Sequence, residues 1–335
     1  MTNRTSDSIH DDSIVIDAVC PLVKDHPEYI EWYRAGGATA IAPTIASIES
    51  ARIALNRLAA WHRMLRERDD LLLIQRANDI EVAKRSGRMG IYFHFQGTDP
   101  IEDNLDLIDL YKSLGVGVVQ LAYNVKNRVG DGCEERTDAG LSRFGLKLVQ
   151  RLNEARMIVD CSHTGLRTSL DAIDCSSAPV VLSHSNPASV HATPRNVQNE
   201  LIDAIAKSGG VIGVVGFPAM VASTATPSLD DFVAHIDALT DRVGIDHVGL
   251  GIDYYIGQSG VSSDEAALLT YNRMIRCGAW GAAYPRPPHH YPAGIETPKT
   301  LPNLTHRLLE RGYTEADVRK ILGKNWLRVM AHVWG

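Results

Sequence analysis

A chain of 335 residues that is 44% hydrophobic and 22% charged has ordinary globular composition, with ample apolar material for a large core. Its net charge of −6 is mild and no basic cluster stands out, which argues against nucleic acid and anionic membrane surfaces and leaves a small molecule as the expected substrate. Met1–Asp12 has no basic region leading into an apolar one, so no signal peptide is read, and no stretch reaches the apolar length of a membrane span. Cys20, Cys133, Cys161, Cys175 and Cys277 form an odd set without CxxC pairing, which reads as reduced thiols and a cytoplasmic protein.

In chain order the sequence repeats a short apolar run followed by an amphipathic segment. Strands are expected at Ser13–Val19, Ala38–Pro43, Met89–Phe95, Gly117–Ala122, Met157–Cys161, Pro179–Ser183, Gly210–Gly216 and His247–Ile252. Most are rich in Val and Ile and run continuously apolar, as strands of a parallel sheet buried on both faces do. Helices are expected between them at Ser47–Arg68, Asn104–Leu114, Arg143–Ala155, Thr168–Ser176, Glu200–Lys207 and Asp230–Arg242, where apolar residues recur at three- and four-residue spacing. Eight strands with intervening helices predict an α/β fold, a (β/α)8 TIM barrel formed as one domain over residues 1–335. Tyr254–Lys299, rich in Pro, Gly and Tyr, is a long loop that either covers the site or forms an interface. Three further helical pieces close the chain: Leu301–Arg311, Thr314–Leu322 (with Thr314 and Asp317 as its start signal) and Asn325–Val333.

In such a barrel the chemistry sits at the C-terminal ends of the strands. Those positions carry Val19 and Cys20, Thr44, Gln96, Tyr123, His163, His184, Phe217 and Asp253. His163, His184 and Asp253 each end a nearly pure apolar run, and imidazole with carboxylate is the donor set expected for a borderline cation such as zinc. Arg195 follows the sixth strand and reads either as a solvated loop residue or as a fork for a substrate carboxylate. The remaining histidines, His94 among them, lack this context and most read as surface or loop residues, although His289-His290 could enter the site with the long loop. No GxSxG elbow, P-loop or HExxH is present.

Together the stretches Gly140-Leu-Ser-Arg-Phe-Gly145, Val159-Asp-Cys-Ser-His163, Val181-Leu-Ser-His-Ser185, Pro194-Arg-Asn-Val197, Gly249-Leu-Gly-Ile-Asp253 and Gly312-Tyr-Thr-Glu-Ala-Asp-Val-Arg-Lys-Ile-Leu-Gly-Lys-Asn325 resemble the renal (membrane) dipeptidase family of amidohydrolase-like barrels. The resemblance implies a zinc-dependent dipeptidase, often a homodimer, with His163 and His184 as zinc ligands, Arg195 on the substrate carboxylate and Asp253 beside the nucleophilic water. It also implies a first-strand His-x-Asp and a bridging Glu, but those positions hold Val19, Pro21 and Gln96, and Tyr123 stands where a further His belongs. The chain is similar to a bacterial branch of the family that shares Gln at the third strand and Tyr-Asn at the fourth. With two carboxylates gone, the expectation is one zinc per chain on His163, His184 and Asp253 rather than two, because a neutral amide cannot replace a bridging carboxylate. Cys20 could add a thiolate, but reads better as a small buried hydrophobe.

Three functions remain open for this pocket. The first is a mononuclear metallohydrolase of a dipeptide or other small carboxylate-bearing amide, with Asp253 as third ligand or general base, Tyr123 donating to the oxyanion, and Arg195, Gln96 and Asn124 binding substrate. The second is an isomerase, tautomerase or lyase that uses Asp253 and Tyr123 as acid and base. The third is a binding protein without catalysis.

Overall fold

Short apolar runs build the parallel strands β1 (Ile16–Cys20), β2 (Ala40–Ala46), β3 (Leu71–Leu73), β4 (Met89–Ile91), β5 (Phe93–Phe95), β6 (Val116–Gln120), β7 (Ile158–Asp160), β8 (Val180–Val181), β9 (Ile212–Val214) and β10 (Val248–Leu250). They are seen in a computed structural model that describes residues 5–261, 263–281 and 284–335. Four residues of the N-terminal stretch Met1–Asp12, and Ser262, Ala282 and Ala283 of the long loop, lie outside the described residues.

β4 and β5 are two halves of one strand. Both pair with β2, while on the other side the lower half takes β3 and the upper half takes β6. From β6 the ladder runs through β7 to β8, and a bridge from Leu182 to Ile212 carries it into β9 and β10. The ring closes from β10 to β1 through Ile252 N–H donating to Asp17 Oδ1 at 2.9 Å and Leu22 N–H donating to the Tyr254 carbonyl at 2.9 Å. This is the expected α/β barrel, with β3 as an extra strand.

The expected strands are longer than the observed ones, as where Gly210–Gly216 narrows to β9. A side chain takes the backbone groups of the next residue: Asn186 Oδ1 accepts from Val215 N–H at 3.1 Å and Asn186 Nδ2 donates to the Val215 carbonyl at 2.9 Å, while Gly216 N–H donates to the Ile252 carbonyl at 3.0 Å. β3 and the helix Ala77–Ser86 were not anticipated. Three leucines are too short a run to declare a strand, and that helix buries only Ala77, Ile80 and Ala83.

The C-terminal helices fall where expected, and Thr314 and Asp317 form the anticipated capping box. The last helix, Asn325–Trp334, seals the end of the barrel where the strands begin. Its Trp326, Val329, Met330 and Trp334 pack on the inward residues Ile16, Tyr92, Val118, Ile158, Val181 and Val211. Trp326 Nε1 donates to the Leu250 carbonyl at 3.0 Å, and only glycine fits beneath it at position 249, where a Cβ would lie 2.5 Å from that nitrogen. Trp326→Ala should therefore cost about 3–5 kcal/mol of stability, measured as a lowered midpoint in urea; a loss under about 1 kcal/mol would show that the helix does not brace the barrel.

Candidate active site

His163 follows β7, and His184 follows β8 through Leu182 and Ser183. Three residues of this rim, Asn124 (φ 60°), His163 (φ 59°) and Asp253 (φ 62°), adopt the left-handed backbone that non-glycine residues avoid, so each strand end is turned sharply to aim a side chain. A close approach just after β10 fixes His184: a Cβ at Gly251 would stand 1.8 Å from the Ser183 carbonyl oxygen. The result is that His163 Nε2 and His184 Nε2 converge to 2.7 Å. Asn124 Oδ1 lies 2.6 Å from His163 Nδ1, and Ser183 Oγ lies 2.7 Å from His184 Nδ1.

Behind the pair sits Asp160, wholly buried at the end of β7. It accepts from Ser162 N–H, Ser162 Oγ and Ser183 N–H at 2.9 Å each, from Ser183 Oγ at 2.5 Å and from His94 Nε2 at 3.1 Å. Burial pushes its pKa up, but the His94 hydrogen bond and charge, with His184 and Ser183, outweigh this and hold it well below the carboxylate range. His94 is thus a core residue, contrary to the expectation of a surface one. It lies in an apolar run on β5, and only a partner 66 positions away reveals its role. His289 is also buried, against Phe217 at 4.7 Å, and does not line the pocket.

His163, Tyr123, Gln96 and Asp253 line one pocket at the rim. The Tyr123 ring stacks on His163 with centroids 4.2 Å apart. Burial, reinforced by nearby Asp17, pushes the Asp253 carboxyl up to about 7, against Arg195 and Gln96, which favour its charged form. Arg195 is only 2% exposed and opens onto a neighbouring groove that shares His163 with the pocket. Its Nη2 donates to the His184 carbonyl at 3.3 Å and its Nε has no partner, so this buried cation has spare donors. Burial opposes its charge, but Tyr284, Cys133 and Asp253 hold its pKa above the usual value.

The long segment after β10 is not a plain loop; it carries the helix Asp264–Arg276 and covers the pocket with Tyr255, Thr270, Arg273, Met274, Trp280 and Tyr284. Trp280 and Tyr284 stack at 4.8 Å, and Trp280 Nε1 donates to the Tyr123 hydroxyl at 2.9 Å. Asn124 Nδ2 donates to the Ala279 carbonyl at 2.8 Å and to the Tyr284 hydroxyl at 3.0 Å. Asn124 is therefore corrected from substrate binder to internal brace, since it is fully buried and its amide is committed on both sides.

Among the described residues, no three His, Cys, Asp or Glu side chains converge to hold a metal ion, so Asp253 is not assembled as a third ligand. Cys20 is fully buried, and burial pushes its thiol well up, which suits a core residue and not a thiolate. The two histidines are the residues that would hold an ion. Burial, then Arg195, pulls both well below the usual imidazole value, leaving two neutral nitrogens turned to one point. Two imidazoles on one tetrahedral zinc stand about 3.3 Å apart, so the pair is slightly closer than a bound ion requires. Val19, Pro21 and Gln96, where the family resemblance implies a His-x-Asp and a bridging Glu, bring neither imidazole nor carboxylate.

Fold and rim together define a barrel of the amidohydrolase-like kind with a histidine pair under a covering segment. A model of the membrane dipeptidase family (peptidase family M19) matches residues 31–275 and 281–334, and the chain belongs to that family. It is thus a dipeptidase-family hydrolase. It is 27% identical to dipeptidase verJ of Clonostachys rogersoniana over 291 residues, covering 86% of this chain and 67% of the relative. The chain spans 56% to 68% of the length of the curated relatives it matches. An amidohydrolase from Pseudomonas aeruginosa superposes with TM-score 0.90 at 35% identity over 99% of this chain and all (100%) of that one. A metallo peptidase from Rhodobacter sphaeroides, liganded with a phosphinate mimic of L-Ala-D-Ala, shares the fold at 21% identity with TM-score 0.80, over 96% of this chain and 100% of its own.

Trp280→Phe keeps the stacked ring and removes the donor to Tyr123. It should loosen the cover by about 1 kcal/mol, seen as faster backbone hydrogen exchange over 264–281 with β6 and β7 unchanged. Unaltered exchange there would mean that this bond does not hold the cover down.

Proposed function

We propose that this chain hydrolyses a dipeptide, or another small amide bearing a carboxylate, in the pocket shared by His163, Tyr123, Gln96 and Asp253, with one zinc ion on His163 and His184. The observation that carries this reading is the convergence of the two imidazoles at 2.7 Å, with His163 lining the same pocket as the Asp253 carboxyl. As parts of the same proposal, the protein works as a homodimer, carried over from the family resemblance. It works in the cytoplasm, consistent with five free thiols and with the absence, among the described residues, of a helix long and apolar enough to cross a membrane.

An ion held by His163 and His184 would supply Lewis acidity, which makes water a competent nucleophile near neutral pH. The remaining steps fall to the chain's own residues. The Arg195 guanidinium, with its spare donors, takes the substrate carboxylate and orients the amide. Asp253 accepts the proton of the attacking water as the oxygen bonds to the amide carbon, and returns it to the nitrogen as the C–N bond breaks. Tyr123 accepts from Trp280, so its own hydroxyl proton is available to the developing oxyanion. Burial and Tyr284 raise its pKa well above the usual value, which keeps that proton in place.

Asp253 works as a base only when ionised, so kcat/KM should rise with pH and level off above the Asp253 pKa; burial raises that pKa to about 7, and a bound ion would bring it lower. Asp253→Asn should lower kcat by at least about 100-fold. Arg195→Lys should raise KM for carboxylate-bearing substrates by about 10- to 100-fold while leaving their amidated analogues unaffected. The reading fails if zinc-loaded enzyme cleaves no member of a broad dipeptide and N-acyl amino acid panel, or if blocking the carboxylate leaves KM unchanged.

A further inference from the structure

Resting on the metal reading above, we infer that Asp160, Ser183 and Asn124 are positioning residues that fix both imidazoles as Nδ1–H tautomers, so that two bare Nε2 lone pairs face one cation.

The proton positions follow from the hydrogen-bond network. The Asn124 amide is oriented by the Ala279 carbonyl, which accepts from Nδ2 at 2.8 Å; Oδ1 must therefore be the atom facing His163 Nδ1 at 2.6 Å. A carbonyl oxygen only accepts, so His163 carries its proton on Nδ1. On the other side Asp160 is surrounded by five donors, an arrangement that suits an ionised carboxylate and leaves no place for a proton of its own. Ser183 has a single hydroxyl proton and spends it on Asp160 Oδ2 at 2.5 Å. Its oxygen can then only accept from His184 Nδ1 at 2.7 Å, so His184 also carries its proton on Nδ1.

With both protons placed, the two Nε2 atoms at 2.7 Å have none to share. Neutral lone pairs at that distance repel, and the network of Asn124, Ser183 and Asp160 holds them there nonetheless. A shared cation relieves that repulsion. This is how outer-shell partners serve metal-binding histidines in general, and removing one costs about 10- to 100-fold in metal affinity.

The test uses zinc and no substrate. In metal-free protein, long-range 15N–1H NMR of the histidine rings should show both His163 and His184 as Nδ1–H tautomers. Ser183→Ala should weaken zinc binding about 10- to 100-fold, read by competition with a chromophoric chelator, with Tm near that of the parent, and Ser183→Thr should restore it. An Nε2–H tautomer at either histidine in the parent protein overturns the inference, whether or not the alanine variant folds. So does a folded Ser183→Ala that binds zinc as tightly as the parent. A parent protein that binds no zinc overturns both this inference and the metal reading, whereas failure on the dipeptide panel alone touches only the choice of substrate.

Discussion

Where parallel strands stop, backbone N–H and carbonyl groups lose their ladder partners, and inside a barrel no water replaces them freely. In this chain buried polar side chains take them. Asp17 accepts from Ile252, Asp160 from Ser162 and Ser183, and Asn186 clasps Val215 on both sides. Gln120 donates to the carbonyls of Gln96 at 2.5 Å and Ala122 at 2.9 Å. The rim is therefore held by side chains of fixed length and direction, and the candidate site is built on that rim. A carboxylate that terminates β7 can at the same time set the proton of Ser183, which a backbone ladder could not do.

The same constraint explains how much could be read from the sequence. Apolar runs ending in His163, His184 and Asp253 were legible because the barrel rule assigns strand ends to the site, and the structure sets those residues on the rim. Asp160 and Ser183 lie in the same runs, at Val159-Asp-Cys-Ser-His163 and Val181-Leu-Ser-His-Ser185, yet a single polar residue in an apolar run reads as a break, not as an anchor. The signal that could have found Asp160 is its spacing: a carboxylate three residues before a strand-end histidine in a wholly buried run must be paired. His94 was misread because its partner is distant in sequence. Asn124 was misread because what commits its amide is the covering segment, more than 150 positions away, with hydrogen-bond separations of 155 and 160.

The covering segment was the least legible part, since Pro, Gly and Tyr composition says only that regular structure is interrupted. What decides its position is aromatic packing between distant residues. Tyr123, on the β6 side, stacks its ring on His163 and accepts at its hydroxyl from the indole N–H of Trp280, and Trp280 in turn stacks on Tyr284. A tyrosine where the family resemblance calls for a further active-site histidine thus supplies a contact that ties the histidine pair to its cover.

Charge balance gives that exchange its meaning. The Asp160 charge is satisfied by its five donors, and Asp17 and Asp253 both sit near 7 because burial disfavours their ionised forms. With Val19, Pro21 and Gln96 supplying no charge, a second dication would have no counter-ion here, and the buried Arg195 would add to the repulsion. One ion is different. Under the proposed reading its field would lower the cost of ionising Asp253, and a substrate carboxylate on Arg195 would bring the remaining negative charge from outside. In the proposed reaction the pocket reaches near neutrality only when substrate is present, so selection for a carboxylate and retention of a single ion follow from the same missing side chains.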